Sequence, residues 1–184
     1  MATTTTISLD EFRHMPEFQP DGTSYELDEG ELVRVSPGGT KHSVVVQRIS
    51  HYLESLANPE IYTVVSGEAG FELGQNTVRG ADVAILAEVL DVDKLPDGYF
   101  TRPPLVAIEV IGARHDAEQL ERKITQYLAA GVEEVWAVYI KSKRTYIYRK
   151  DKVDVIEPAQ RCFSTGLGLS VDTRFFFIRR KGGE

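Results

Sequence analysis

The 184-residue chain is 42% hydrophobic and 27% charged, which is typical of a globular protein and gives no reason to expect a disordered one. Its formal net charge of −7 excludes nucleic-acid binding through bulk charge, so contact with DNA would require basic residues gathered on one face. The single cysteine, Cys162, excludes a disulfide or a thiolate metal cluster within one chain.

Length and residue pattern also limit the number of domains and the cellular location. The length fits a single domain over residues 1–184. No apolar run reaches the roughly 20 residues of a membrane span, and the amino terminus lacks the basic start and apolar core of a secretory signal. Together with the lone cysteine, these features lead us to expect a cytoplasmic protein without membrane contact.

The first third of the chain predicts a short helix, a hairpin and a long helix. A capping box at Ser8–Glu11 predicts the short helix. Strand-like stretches at 24–28 and 31–35 flank a Glu-Gly pair, as expected for a β-hairpin. Thr40 is expected to cap the long helix, whose apolar residues recur at helical spacing over 44–56.

The centre of the chain changes to strand-like patterns. Residues 61–65 and 69–73 predict two strands separated by a turn. The runs 81–87 and 105–111 are continuously apolar, which is typical of strands covered on both faces. Between these runs, residues 88–99 predict an acidic surface loop.

The last third predicts a helix, a strand and a second hairpin. The helix is expected to begin after the capping residue Asp116 and to end at Gly131. A strand over 135–140 and a hairpin over 145–156 follow, and the tail 170–178 predicts one more edge strand. The fold class is therefore α/β, with a mixed β-sheet and flanking helices.

Two carboxylates interrupt the apolar strands. Asp82 lies at the start of the run 81–87, and Glu109 lies inside 105–111. A buried carboxylate requires a cation, a hydrogen-bond network or a raised pKa, so simple ion pairs are one explanation. The other is a site for Mg²⁺ or Mn²⁺, which take carboxylate ligands together with water and phosphate oxygens. Glu68, in the predicted turn between strands, is either a further metal ligand or a solvated residue.

Several basic residues also have two possible interpretations, one functional and one as ordinary surface residues. Lys123 falls beside the apolar face of the second helix, so its ammonium lies either in solvent or against the carboxylates. Lys41 and His42 begin the first long helix, where free backbone N–H groups can bind phosphate, although surface residues are also common there.

Several segments of the chain form a recognisable series, and they are 25–33, Ser36-Pro37 with His42, 77–85, 104–111 and 123–136. Their order and spacing resemble a large bacterial family of restriction-endonuclease domains, and the resemblance covers about residues 7–175. That family is placed in the PD-(D/E)XK nuclease superfamily, whose core is a helix, three strands, a helix and a strand. The resemblance therefore implies a restriction-endonuclease-like core, here with extra hairpins.

The resemblance implies roles for individual residues. Asp82 corresponds to the metal-binding aspartate of the superfamily, and Glu109 corresponds to its second acidic residue. Two positions depart from the pattern: Ala81 replaces a common proline, and Ile111 occupies the usual place of the catalytic lysine. Some superfamily members carry this lysine on the following helix, where Lys123 lies in this sequence.

The leading hypothesis is a DNA endonuclease that uses Mg²⁺ or Mn²⁺ to hydrolyse phosphodiester bonds, with Asp82, Glu109 and Lys123 as catalytic residues and Glu68 as a further ligand. The alternative is a catalytically weak or inactive module that binds DNA or a protein partner, and a third interpretation makes every anomaly an ion pair. A homodimer is expected if both strands are cut. The residues expected to contact substrate are Lys41, His42, Arg79 and Arg102, within a basic patch that adds Arg48 and Arg114.

Overall fold

The computed structural model describes residues 6–95, 97–113 and 116–178. The helices in these ranges are α1 (Leu9–Arg13), α2 (Thr40–Glu54) and α3 (Ala117–Ala129). The strands are β1 (Ser24–Asp28), β2 (Glu31–Val35), β3 (Thr63–Gly74), β4 (Thr77–Leu86), β5 (Val106–Ile111), β6 (Glu134–Tyr139), β7 (Thr145–Arg149), β8 (Lys152–Ile156), β9 (Arg161–Ser164) and β10 (Leu169–Asp172).

Eight of these strands form one mixed sheet in the order β2-β1-β4-β5-β6-β7-β8, with β3 paired to β4 outside this path. The pair β5–β6 is parallel because α3 connects the two strands as a crossover helix, and the other pairs are antiparallel. The predicted mixed α/β fold and its core of helix, three strands, helix and strand are therefore confirmed in α2, β3, β4, β5, α3 and β6.

The two helices cover opposite faces of the sheet. Val45 and Ile49 of α2 lie in one apolar cluster with Ile85 and Ile108. Leu120 and Ile124 of α3 belong to a second cluster on the other face. Since both faces are covered, β4 and β5 are buried along their whole length, as their continuous apolar runs predicted. No helix in the described part of the chain is both long and apolar enough to cross a membrane.

Three local predictions were wrong. The two strands expected at 61–65 and 69–73 form one strand, β3, which a bulge at Gly67 and Glu68 interrupts. Thr40 is the first residue of α2, and its N-cap is Gly39, so Thr40 cannot supply the side-chain cap. The tail does not join the main sheet: β10 pairs with β9 in a separate two-stranded sheet, and a 3₁₀ helix over Thr173–Phe176 follows.

One buried carboxylate joins the main sheet to the smaller one. Glu134, at the start of β6, has no exposed surface. Donors from three parts of the chain surround it, at 2.7 to 2.9 Å, and they are Trp136 Nε1, Arg149 Nε, Ser164 Oγ, Thr165 N and Thr165 Oγ1. Burial alone would raise the pKa of Glu134, but these hydrogen bonds outweigh it and lower that pKa.

We predict that Glu134→Gln lowers the free energy of unfolding by about 2–4 kcal/mol, because donors arranged around a carboxylate lose their charged acceptor. The pKa of the folded carboxyl lies below its ordinary value of 4.5, so this stabilisation is present above pH 4.5 and is lost as pH falls through the folded value. Urea unfolding between pH 3 and pH 7 should therefore show the difference between wild type and variant shrinking at acid pH.

The matched control is Glu157→Gln, because Glu157 also accepts from an arginine, Arg144, but does so on the surface. An exposed pair of this kind contributes little to stability, so this variant should unfold close to wild type. Equal losses in the two variants would contradict a special role for the Glu134 network.

Candidate active site

The candidate site lies where β4 changes its neighbour along one edge. β1 pairs with β4 at Val78, and β5 pairs with it from Val83 onward. Between these points a carboxylate takes the place of a backbone partner, since Gly80 N–H donates to Glu26 Oε1 at 2.8 Å. The divergence of β1 from β5 therefore leaves an opening in a buried sheet, and acidic side chains occupy it.

Asp82 and Glu109 lie on either side of this opening. The register of β4 and β5 pairs Val83 with Ile108, so its continuation places Asp82 opposite Glu109. Both are nearly buried, at 7% and 4% exposure, and Asp82 Oδ2 accepts from Val110 N–H at 2.7 Å. The two carboxylates that interrupt the apolar strands are thus neighbours in space.

Lys123 extends from α3 to this carboxylate pair. Its Nζ lies 3.1 Å from Glu109 Oε2 and 3.0 Å from Glu26 Oε1. Burial alone would lower the pKa of Lys123, but the carboxylates of Glu109 and Glu26 outweigh it and raise that pKa well above its ordinary value. Of the two alternatives left by the sequence, the structure has the ammonium at the carboxylates and not in solvent.

Glu109 carries the most perturbed carboxyl of the site. Burial raises its pKa to about 8, although the ammonium of Lys123 opposes the shift. In the described part of the chain, Glu109 Oε1 is buried and accepts no hydrogen bond. Such an oxygen is an available ligand, because a cation would supply the partner that the protein does not.

His42, in the first turn of α2, contacts the carboxylate of Asp82. Its Nε2 lies 3.1 Å from Asp82 Oδ2, and this hydrogen bond outweighs burial and raises the pKa of His42. The sequence suggested a phosphate contact at the start of the helix. The structure instead places the imidazole against Asp82, inside the acidic site.

Glu68 reaches the site because of the bulge in β3. Gly67 and Glu68 have φ angles of 93° and 60°, which is the left-handed region. The bulge falls opposite Asp82, between the pairs Ser66–Val83 and Ala69–Ala81. Burial and the nearby Asp82 carboxylate raise the pKa of Glu68. The predicted turn residue is therefore part of a strand irregularity that brings a third carboxylate close to Asp82.

These side chains line one cleft of about 1180 Å³. Its wall includes the four acidic residues named above, together with Lys123 and His42. Further basic residues line it from β2, α2, β4 and the β6–β7 turn, and they are Arg34, Lys41, Arg79 and Lys141. The cleft thus combines an acidic cluster with basic residues from several elements.

A known protein family matches most of this chain. The model of the Uma2 family, described as "Putative restriction endonuclease", matches residues 9–172. The chain belongs to the Uma2 family. The restriction-endonuclease family expected from the sequence motifs is therefore confirmed.

A solved structure shares the Uma2 fold seen here. It is the crystal structure of a "putative nuclease belonging to DUF820" from Anabaena variabilis, which superposes with a TM-score of 0.79 at 20% sequence identity. The match covers 93% of this chain and 97% of that one. No curated protein matches the chain. At this level of identity the structural neighbour shows a common fold.

Of the residues expected to contact substrate, Lys41, His42 and Arg79 line the cleft and Arg102 does not. Arg79 is 1% exposed, and its guanidinium is paired with Asp28 at 2.6 Å and Glu26 at 3.1 Å. This placement corrects the expectation that Arg79 contacts phosphate, because a buried, paired guanidinium does not reach DNA.

Other members of the expected basic patch lie elsewhere. The side chain of Arg102 is 78% exposed, is paired with Glu88 and does not line the cleft. Arg48, expected in the same basic patch, is half-buried, donates to the carbonyl of Phe177 and does not line the cleft. Arg114 lies outside the described residues. Of the expected basic patch, Lys41 and Arg79 thus line the cleft, whereas Arg48 and Arg102 do not.

The sequence analysis also missed members of the cleft, among them Glu26 and Lys141. Glu26 lies in an alternating strand, where a polar residue ordinarily faces solvent, so its pattern gave no signal of a buried contact. Lys141 follows β6 and was part of an unremarkable turn. Its position after a buried strand that runs parallel to the Glu109 strand could have indicated a place near the same edge.

We predict that Gly38→Ala moves the imidazole of His42 away from Asp82. A Cβ at position 38 would lie 2.5 Å from His42 Nδ1, so the ring must shift. Since the hydrogen bond to Asp82 is the main cause of the raised pKa of His42, that pKa should fall toward its ordinary value of 6.5. NMR titration of the ring protons measures the change.

The neighbouring glycine provides the control. A Cβ at Gly39 would meet no atom within 4 Å, so Gly39→Ala should leave the pKa of His42 as in wild type. If Gly38→Ala also leaves it unchanged, the contact with Asp82 does not control this histidine.

Proposed function

We propose that this Uma2 chain is a metal-dependent DNA endonuclease that hydrolyses phosphodiester bonds. One observation carries the proposal: Asp82, Glu109 and Lys123 come from two strands and a helix and meet in a single open cleft. A fold needs no such cluster for stability, since apolar residues at these buried positions would avoid the cost of desolvating charge. The membership of a family described as restriction endonucleases supports the same conclusion.

The residues of the cleft fit a hard divalent cation such as Mg²⁺ or Mn²⁺. Asp82 and Glu109 would hold the ion, and Glu68 would add a third carboxylate. The unpaired Oε1 of Glu109 is a ready ligand. Among the described residues, no group of three acidic, histidine or cysteine side chains has the geometry of a metal site. Mg²⁺ itself needs only one or two carboxylates, with waters and substrate phosphate oxygens as its other ligands.

Each protein group then has a defined task in hydrolysis. A bound cation of this type lowers the pKa of a coordinated water and stabilises negative charge on phosphate oxygens. The ammonium of Lys123, beside Glu109, would donate to the attacking water or to a phosphate oxygen. His42 would hold the carboxylate of Asp82 in a fixed orientation.

One observation favours a second candidate function. The usual position of the catalytic lysine is Ile111, which is buried in the apolar cluster under α3. A chain whose relocated Lys123 served only to neutralise Glu109 would keep the fold and the cleft but would cleave poorly. Such a module would bind DNA or a protein partner, and it would show cation binding without strand cleavage.

We predict that Asp82→Asn and Glu109→Gln each abolish both plasmid cleavage and stabilisation by Mn²⁺. A cation that binds only the folded state stabilises wild type by about 2.7 kcal/mol at 100 times its Kd. Thermal unfolding with and without Mn²⁺ measures this effect. The control is Asp93→Asn, in the exposed acidic loop, which should behave as wild type in both assays. If Mn²⁺ stabilises either cleft variant as much as wild type, Asp82 and Glu109 do not share a cation site.

We further propose that the basic residues of the cleft contact the DNA backbone. Lys41 and Lys141 are exposed, line the cleft from different elements and have no competing carboxylate within ion-pair distance in the described structure. They flank the acidic cluster, so phosphates held by them would pass close to Asp82 and Glu109. Cleavage of both strands would require two such sites, which is the reason to expect a homodimer.

We predict that Lys41→Gln and Lys141→Gln each weaken DNA binding in a salt-dependent way. Each phosphate contact contributes about −0.9 to the slope of log K against log salt for duplex DNA, so each variant should flatten the slope by about that amount. Fluorescence anisotropy in 50–300 mM salt, with Ca²⁺ replacing Mg²⁺, measures it. Lys150→Gln is the control, because Lys150 lies in the turn at the other end of β7. A slope that neither cleft variant changes would contradict this path for DNA.

A further inference from the structure

We infer that Glu26 is the positioning residue for Lys123. Glu26 lies on β1, in the amino-terminal hairpin and outside the core of helix, three strands, helix and strand. Its Oε1 lies 3.0 Å from Lys123 Nζ, and Glu109 Oε2 lies 3.1 Å from the same atom. The inference concerns the catalytic effect of Lys123 and therefore rests on the proposed nuclease function.

Glu26 is itself held firmly by β4. Its Oε1 accepts from Gly80 N–H at 2.8 Å, and its Oε2 pairs with Arg79 Nη1 at 3.1 Å. Arg79 is buried and is fixed in turn by Gln126 of α3, whose Oε1 accepts from Arg79 Nε at 2.7 Å. The carboxylate that meets Lys123 is therefore anchored at both oxygens and cannot rotate freely. The buried side of Gly80 also leaves room for it, because a Cβ there would lie 3.4 Å from Glu26 Oε1 and 3.0 Å from the carbonyl oxygen of Glu68.

The same strand also fixes the helix that carries Lys123. Asp28 lies two residues after Glu26 and so on the same side of β1. Its carboxylate accepts from Gln126 Nε2 at 2.7 Å and pairs with Arg122 at 3.2 Å. These two α3 residues lie on either side of Lys123 in the sequence. The two carboxylates of β1 thus bind three side chains of α3. Asp28 binds Arg122 and Gln126, and Glu26 binds Lys123, which lies between them in the sequence.

The two partners of Lys123 differ in what else they can bind. Glu109 has an unpaired oxygen and is a proposed cation ligand, so its carboxylate is shared once a cation arrives. Both oxygens of Glu26 already face protein donors. When Glu109 turns to a cation, Glu26 is the partner that keeps the ammonium at the scissile phosphate. Without Glu26, Lys123 would depend on the one carboxylate that catalysis uses for another purpose.

The kinetic test compares Glu26→Gln, Glu26→Ala and Lys123→Ala in Mg²⁺-dependent plasmid cleavage. We expect Glu26→Ala to lower kcat by about 100-fold, the order expected for a misplaced catalytic group. KM for DNA and the Mg²⁺ concentration for half-maximal rate should stay within about twofold of wild type. Glu26→Gln should recover part of the loss, because the amide oxygen still accepts from Nζ. Glu31→Gln, an exposed residue of the same hairpin, is the control and should cleave as wild type.

A double variant separates positioning from general damage to the fold. If Glu26 acts through Lys123, adding Glu26→Ala to Lys123→Ala should cost nothing further in kcat. A purely structural role would instead lower kcat by a similar factor in both backgrounds. Additive losses, or a loss in Glu26→Ala that appears in KM alone, would overturn the inference.

Crystal structures of wild type and Glu26→Ala under identical conditions provide a measurement that needs no activity. Removal of the anchor should displace Lys123 Nζ from its wild-type position while Glu109 stays in place. Glu26→Thr, which suits a strand, replaces Glu26→Ala if the latter does not fold. An ammonium that keeps its position on Glu109 alone would overturn the inference. If wild type cleaves no DNA, the nuclease proposal fails in the first assay, while the structures still decide whether Glu26 positions Lys123.

Discussion

The structure depends on one electrostatic constraint: carboxylates that lie side by side in a buried sheet must be compensated. Asp82 and Glu109 meet across β4 and β5, where water cannot solvate them fully. Each helix layer supplies a polar partner to one of them: Lys123 of α3 pairs with Glu109, and His42 of α2 hydrogen-bonds to Asp82. The packing of both helices against the sheet is therefore tied to the charge of the cleft as well as to the apolar clusters.

The opening along β4 explains how such a cluster can exist within a continuous sheet. A fully paired strand would direct all of its backbone groups to neighbours and leave no room for side chains in the ladder. Because β1 and β5 share one edge of β4, the backbone near Gly80 has a carboxylate as its partner. The bulge that carries Glu68 lies on the other edge. Local irregularity on both sides of one strand thus creates the cleft.

The sequence predicted most core elements because their patterns are strong. Continuous apolar runs identified β4 and β5, and helical spacing identified α2 and α3. The contrast between a carboxylate and its apolar neighbours was enough to select Asp82 and Glu109. The same contrast is absent for Glu26, since alternating strands expose polar residues as a rule.

Other features of the site depend on geometry that a local pattern does not contain. Lys123 lies at the margin of its helix face, so spacing allowed both directions for its long side chain. Arg79 and Arg102 are equally basic in the sequence, yet one is buried between carboxylates and the other is exposed. Glu134 gave no sequence signal either, because its donors come from strands and turns as distant as Thr165.

The site residues are far apart along the chain, and this separation affects when the cleft can assemble during synthesis. Glu26 enters the chain early, and Lys123 follows almost a hundred positions later, after all three carboxylate-bearing core strands. A contact between such distant residues closes a long loop, and this closure costs chain entropy. During synthesis, a nascent chain that ends before α3 contains the acidic residues without their ammonium. The complete cleft therefore assembles only after most of the polypeptide has been made, and shorter translation products lack it.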